Sequence, residues 1–152
     1  MHRDRNILPL ERLNSLPMCV VQRTSAQSIT ASTVTPVEYT NDIFDPWDMH
    51  STSSNTSRVN IVIPGWYEVI LSCEWASNSV GYRSPGVRDT GSFVFARNRV
   101  PSILQSESSI AAIPWQFSVG DYVEAIVFHT STTDPLDLNI SRMSVRMVYP
   151  ST

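Results

Sequence analysis

Apolar residues alternate with polar ones along most of the chain, at the two-residue period of a half-buried strand rather than the period of a helix. The clearest case is residues 65–76, GWYEVILSCEWA, which put Tyr67, Val69, Leu71, Cys73 and Trp75 on one face. Residues 58–64 set Val59, Ile61 and Ile63 on one side, and residues 121–130 do the same with Val123, Ala125 and Val127. β-branched runs at 18–24, 33–40, 91–98 and 141–149 predict further strands. Residues 99–117 read as two short strands about a polar bend. Segments 41–57, 77–91 and 131–139 are rich in Ser, Thr, Asn, Asp, Gly and Pro and read as loops. Eight to ten strands at regular spacing, with little helical periodicity, predict an all-β sandwich or barrel.

The second faces of these strands are unusual. In 65–76 that face carries Trp66 and Ile70 beside Glu68, Ser72 and Glu74. In 121–130 it carries Tyr122, Ile126 and Phe128. A sheet packed on one side only is polar on the other, so apolar residues on both sides predict a second cover. Copies of the same chain are the simplest cover, which makes Ile70, Ile126 and Phe128 the predicted oligomer interface.

Residues 1–17 break the pattern and form a separate arm, leaving 18–152 as one domain. The arm mixes Arg3, Arg5 and Arg12 with Ile7, Leu8, Leu10, Leu13 and Leu16, and Pro9 and Pro17 interrupt it. A short helical turn fits residues 10–16, but the prolines exclude a stable independent helix. The arm is apolar enough to need a partner surface; the alternative is a solvated terminus with incidental leucines.

Composition narrows the class. The 152 residues include 22 Ser, 12 Thr, 16 Val and 11 Ile, with only 16% charged and a net charge of -3, which excludes disorder for the bulk of the chain. No apolar run is long enough to span a bilayer, and no signal peptide is expected at the start. The acidic balance argues against nucleic acid as a partner. All 11 basic residues are Arg, which reflects either genomic base composition or a surface built for forked carboxylate contacts. Cys19 and Cys73 fit no metal or redox spacing. A single disulfide is one option; two buried thiols suit the apolar alternation around Cys73 better.

Candidate chemistry is sparse. Asp42, Asp45, Asp48 and His50 lie close in sequence, but their spacing lacks the alternation and the glycine of a calcium loop. Acids capping turns around Phe44, Pro46 and Trp47 account for the segment better. His2, His50 and His129 have no metal-ligand spacing. No serine sits in a Gly-x-Ser-x-Gly elbow, and no glycine-rich phosphate loop occurs. The sequons at Asn55 and Asn139 matter only in a secreted eukaryotic setting. The expectation is a non-enzyme without metal or cofactor.

Several motifs, in order, resemble the C1q/TNF-like jelly rolls over residues 18–150. They are Phe44-Asp45, then Pro64-Gly65-Trp66-Tyr67-Glu68-Val69 leading into a long strand, then Phe117-Ser118-Val119-Gly120-Asp121-Tyr122-Val123. More narrowly, Phe44-Asp45-Pro46-Trp47-Asp48-Met49-His50, Gly65-Trp66-Tyr67, Glu74-Trp75-Ala76-Ser77-Asn78 and Gly120-Asp121-Tyr122-Val123 resemble C1q-like modules of tailed-phage structural proteins. The resemblance implies a ten-stranded jelly-roll sandwich that forms a homotrimer around one sheet of each protomer. It further implies a virion structural protein on the capsid exterior, a decoration or cement protein. The arm residues Arg3, Arg5, Ile7, Leu8, Leu10, Arg12, Leu13 and Leu16 would then dock on the major capsid protein. A second reading is a phage fibre tip that binds a receptor or host-surface glycan through Trp47, Tyr82 and Arg83. Neither reading involves nucleic acid or membrane.

Overall fold

A computed structural model describes residues 16–102 and 106–151. Among the described residues twelve strands form two antiparallel sheets, and there is no helix. In chain order they are β1 (Met18–Arg23), β2 (Gln27–Ile29), β3 (Thr35–Pro36), β4 (Asn41–Phe44), β5 (Arg58–Asn60) and β6 (Gly65–Trp75). There follow β7 (Tyr82–Arg88), β8 (Val94–Arg97), β9 (Val100–Pro101), β10 (Ser106–Phe117), β11 (Tyr122–His129) and β12 (Leu136–Pro150). The first sheet runs β10-β6-β12-β1-β4, with β2 added to β12. The second runs β3-β11-β7-β8, with β5 also on β11 and β9 on β7.

The core between the sheets follows the alternation. Tyr67, Val69, Leu71, Cys73 and Trp75 of β6 and their neighbours in the same sheet, Met143, Val145 and Met147 of β12, are buried against Val123, Ala125 and Val127 of β11 in the other sheet. Phe93, Trp115, Phe95, Phe117 and Tyr67 form a continuous aromatic ladder, with successive centroids 5.3–6.1 Å apart. It closes the gap between β8 and β10, the outermost strands of the two sheets on that side.

Four segments differ from the sequence expectation. Residues 41–44, read as the start of a loop, form β4 and pair with β1 at the margin of the first sheet. Residues 77–91, read as a loop, contain β7, which lies between β11 and β8 in the second sheet. Pro85 and Gly86 hid it, because both residues normally punctuate strands. Gly86 suits this site: a Cβ there would sit 3.3 Å from both the Ala96 carbonyl oxygen and Ile126 Cγ1. Residues 99–117 do supply two strands, β9 and β10, but the polar stretch Ser106–Ser109 lies inside β10 rather than in a bend, and a register shift between Ala112 and Trp115 accommodates Pro114 on this edge strand. β12 starts at Leu136, inside the expected loop 131–139, and absorbs its length through shifts at Leu138/Ile140 and Met147/Tyr149. The strand total also exceeds the ten that the resemblance implies, several being only two or three residues long.

Candidate assembly interface

One outer face of the sandwich is apolar and open. Across the first sheet, Ile70 of β6 lies opposite Ser144 of β12, Ser144 opposite Val20 of β1, and Val20 opposite Phe44 of β4. Ile70 and Phe44 are 44% and 49% exposed. The next row is charged but closed on itself: Arg146 Nη2 lies 2.6 Å from Glu68 Oε2, with Met18 beside it. Beyond it Trp66 stands opposite Tyr149, next to Val148, and all three are exposed. On the other flank Arg142 Nε donates to Gln22 Oε1 at 2.9 Å. Arg146 and Arg142 thus find partners within the face, Glu74 lies exposed at its flank, and between them the face presents apolar area.

The outer face of the second sheet is covered by its own side chains. Tyr82 stacks on Phe128 at 5.9 Å and carries the Arg99 guanidinium 4.4 Å above its ring. Arg58 lies 4.2 Å over Tyr122. Buried Glu124 accepts hydrogen bonds from Arg88 and Ser57. Ile126 is only 3% exposed and fills the space that Gly86 leaves. This corrects the expected interface set of Ile70, Ile126 and Phe128. β6 and β11 belong to opposite sheets, so their outward side chains point in opposite directions. Ile70 alone lies on the open face; Phe44, Trp66 and Val148 are its companions. Trp66 was visible in the sequence as the neighbour of Ile70 on that face, whereas Phe44 and Val148 needed the strand order.

The expected recognition trio does not converge. Trp47 is half-buried and packs against the core cluster. Tyr82 is held between Phe128 and Arg99. Arg83, expected at the surface, is fully buried. It alternates to the inner side of β7, where Nη1 donates to the carbonyls of Val80 and Tyr82 and Nη2 to that of Asn78, at 3.1–3.3 Å. Its guanidinium faces the Trp75 ring, and burial lowers its pKa. Carbonyl oxygens stand in for the counter-ion that a buried cation ordinarily requires. The arm residues Arg3, Arg5, Ile7, Leu8, Leu10, Arg12 and Leu13 lie outside the described residues. Leu16, expected to dock on a foreign surface, packs against this protein's own core.

The acidic segment caps turns, as its spacing suggested. Asp45 accepts the backbone N–H groups of Met49 and His50, each at 2.9 Å, and so seats Met49 in the core. His50 Nδ1 lies 2.5 Å from Asp42 Oδ1, and Nε2 lies 3.0 Å from the Thr56 carbonyl oxygen. Among the described residues no three His, Cys, Asp or Glu side chains gather to hold a metal ion. Cys19 and Cys73 are free and buried. Burial pushes the Cys73 thiol up to about 12, against a smaller lowering by its hydrogen bond to Ser141. Burial, then the nearby charges of Asp45 and Asp42, raises that of Cys19. Neither thiol is poised as a nucleophile.

No protein-family model and no curated protein sequence matches the chain. Solved structures do. The globular domain of zebrafish complement 1qA superposes with a TM-score of 0.66 at 15% identity, over 89% of this chain and 99% of that one. The fold is C1q/TNF-like. The Eiger TNF of S. frugiperda follows at 0.61 and 14%, over 90% and 96% of the two chains. Murine APRIL follows at 0.62 and 12%, over 86% and 99%. Against this C1q/TNF-like frame, the residues that carried the sequence resemblance are fold determinants. Asp45 closes a turn, and Tyr67 donates to the Ile63 carbonyl at 2.7 Å. Gly65 permits the close approach of the Tyr149 carbonyl, 2.5 Å from where a Cβ would stand.

Proposed function

We propose that this chain is a non-enzymatic structural module that assembles as a homotrimer. We place it on the exterior of a virion as a capsid decoration protein, docked partly through residues 1–15. The observation that carries the reading is the open apolar face of the first sheet, set against a second sheet covered by its own side chains. A second apolar patch lies at the β8–β10 edge, where Phe93 is 57% exposed and stacks on Trp115. The face and the edge are different surfaces, so a face-to-edge contact is heterologous, the kind that builds a ring when the rotation between copies closes. Three copies complete the ring that the C1q/TNF resemblance implies. The capsid assignment rests on the narrower phage-like motifs and on the Arg- and Leu-bearing arm. The glycan-binding alternative loses its support with Arg83 inside the sandwich.

Light scattering at low micromolar concentration tests the first step, and the expected mass is that of three chains. A monomeric mass overturns the assembly reading. The second step is tested by mixing undecorated capsids with the protein and with a variant lacking residues 1–15, cut so as to retain Leu16 in the core. The variant is expected to stay trimeric and to lose most of its capsid binding. Full decoration by the variant assigns docking to the jelly roll, and binding to host cells but never to capsids overturns the decoration reading.

A further inference from the structure

The outer face of the second sheet is closed to apolar partners, yet its charges do not balance. Its ladder positions set Arg58 and Arg88 on either side of Glu124, and Arg97 opposite Gly86. Arg99 joins them, lying over the Tyr82 ring. Glu124 is the one carboxylate in these positions, and two arginines share it. Arg88 Nε donates to it at 2.8 Å, and Arg58 Nε lies 3.7 Å away. Arg97 and Arg99 are exposed, and among the described residues no carboxylate forms an ion pair with either. The face thus carries a positive surplus on a chain whose net charge is -3. Arg99 is also held in place, 4.4 Å above a Tyr82 ring that itself stacks on Phe128. Arg97 pairs with a residue that has no side chain, and the Ser84 hydroxyl turns to the Asn98 carbonyl at 3.0 Å. Little on β7 competes for the Arg97 guanidinium.

We infer that this arginine face docks an acidic protein partner, one that presents clustered Asp and Glu carboxylates, and that Arg97 and Arg99 make the contact. A guanidinium offers a planar fork of N–H donors that matches a carboxylate, and a fork already stacked on a ring loses less freedom when it binds. The extent of the basic area decides against a long polyanion. Neighbouring strands lie about 5 Å apart, so the area across β11, β7 and the β8–β9 edge is only ~10 Å wide, about one Debye length. At one end it stops at Asp89, next to Arg88, and at Asp121, next to Tyr122, where the Tyr122 N–H donates to Thr90 Oγ1 at 2.7 Å. A uniformly charged polymer running past the area meets the carboxylates of an acidic molecule, whereas a local acidic patch does not. The inference goes beyond the proposed function and requires neither the trimer nor the capsid, because the open apolar face belongs to the other sheet.

The test uses the full chain and a short fluorescein-labelled oligoglutamate, read by anisotropy in low-salt buffer. The wild type is expected to bind the peptide and to release it as salt is raised. Arg97→Gln and Arg99→Gln are each expected to weaken binding about threefold or more. Arg142→Gln removes the same charge from the first sheet and is expected to leave binding unchanged. No binding by the wild type overturns the inference. Equal loss in all three variants overturns it as well, because the attraction is then diffuse. So does a wild type that binds dextran sulfate but not oligoglutamate, since the partner is then a sulfated polysaccharide. Light scattering on the same samples separates this face from the trimer. Loss of assembly in Arg97→Gln or Arg99→Gln overturns the inference, because the arginines then meet a second copy. A monomeric wild type that binds the peptide through Arg97 and Arg99 sinks the trimer and upholds the arginine face.

Discussion

Inside the sandwich, Ser141 organises a short polar string. Its hydroxyl donates to the Ser72 carbonyl at 3.1 Å, and it lies 3.2 Å from the Tyr39 hydroxyl and 3.7 Å from Cys73 Sγ. With its own proton committed, Ser141 accepts from both neighbours, which leaves the phenol and the thiol protonated and satisfied. Burial raises the pKa of Tyr39 and takes Cys73 from an ordinary 9.0 to about 12. A folded-state value above the unfolded one stabilises the fold fully below the unfolded value, and that contribution is lost as pH climbs toward the folded one. Between pH 9 and about 12 the Cys73 linkage removes about 1.4 kcal/mol per pH unit. Burial also raises Cys19, Tyr39 and Tyr67, so denaturant melts across that window are expected to fall at least this steeply, and Cys73→Ala is expected to remove about 1.4 kcal/mol per pH unit from the slope. At pH 8, iodoacetamide is expected to label Cys73 only after unfolding; rapid labelling of the folded protein would show that the thiol is not sealed.

At the scale of the strand, β6 has two apolar faces with different uses. Its inner face builds the core, and its outer face offers Trp66 and Ile70 to a partner. β11 looks the same in sequence, yet its outward Ile126 is sealed within the protomer. Matched substitutions separate these roles. Ile70→Asp is expected to leave the denaturation midpoint of the isolated chain unchanged. It should weaken self-association at least ~30-fold, an interface loss of about 2 kcal/mol. Ile126→Ala is expected to destabilise the fold itself by ~2–5 kcal/mol, as buried Ile truncations do. Sedimentation and denaturant titration of both variants check the pair. Ile70→Asp that assembles normally would remove the first sheet's face from the interface.

For the whole molecule, the asymmetry of the two outer faces is the main fact. One face is a set of closed aromatic, arginine and carboxylate contacts; the other is an apolar surface crossed by the Arg146–Glu68 ion pair. A protein that buries such a face between copies gains stability by mass action. The melting temperature is therefore expected to rise with protein concentration across the range in which light scattering sees assembly. A melting temperature that stays constant over a hundredfold dilution, with a single-chain mass throughout, would mean that the face stays in water.

Alternation determined the all-β class and the buried rows Tyr67 to Trp75 and Val123 to Val127, and the spacing of acids among turn residues determined the capping use of Asp45. Each of these depends on neighbours along the chain, and a two-residue period records which side of a strand a residue takes. The same period carries no record of which sheet a strand joins. Ile70 and Ile126 therefore looked equivalent, and strand order alone placed one on an open face and the other over Gly86. β7 was hidden for a related reason. Pro85 and Gly86 are breakers in isolation, and they become tolerable where the neighbouring chain needs a small residue or no N–H. Arg83 was read as exposed because its segment was read as a loop. Once β7 is a strand, residue 83 must point opposite to Tyr82, and only the carbonyls that the surrounding chain brings to Arg83 make that burial affordable.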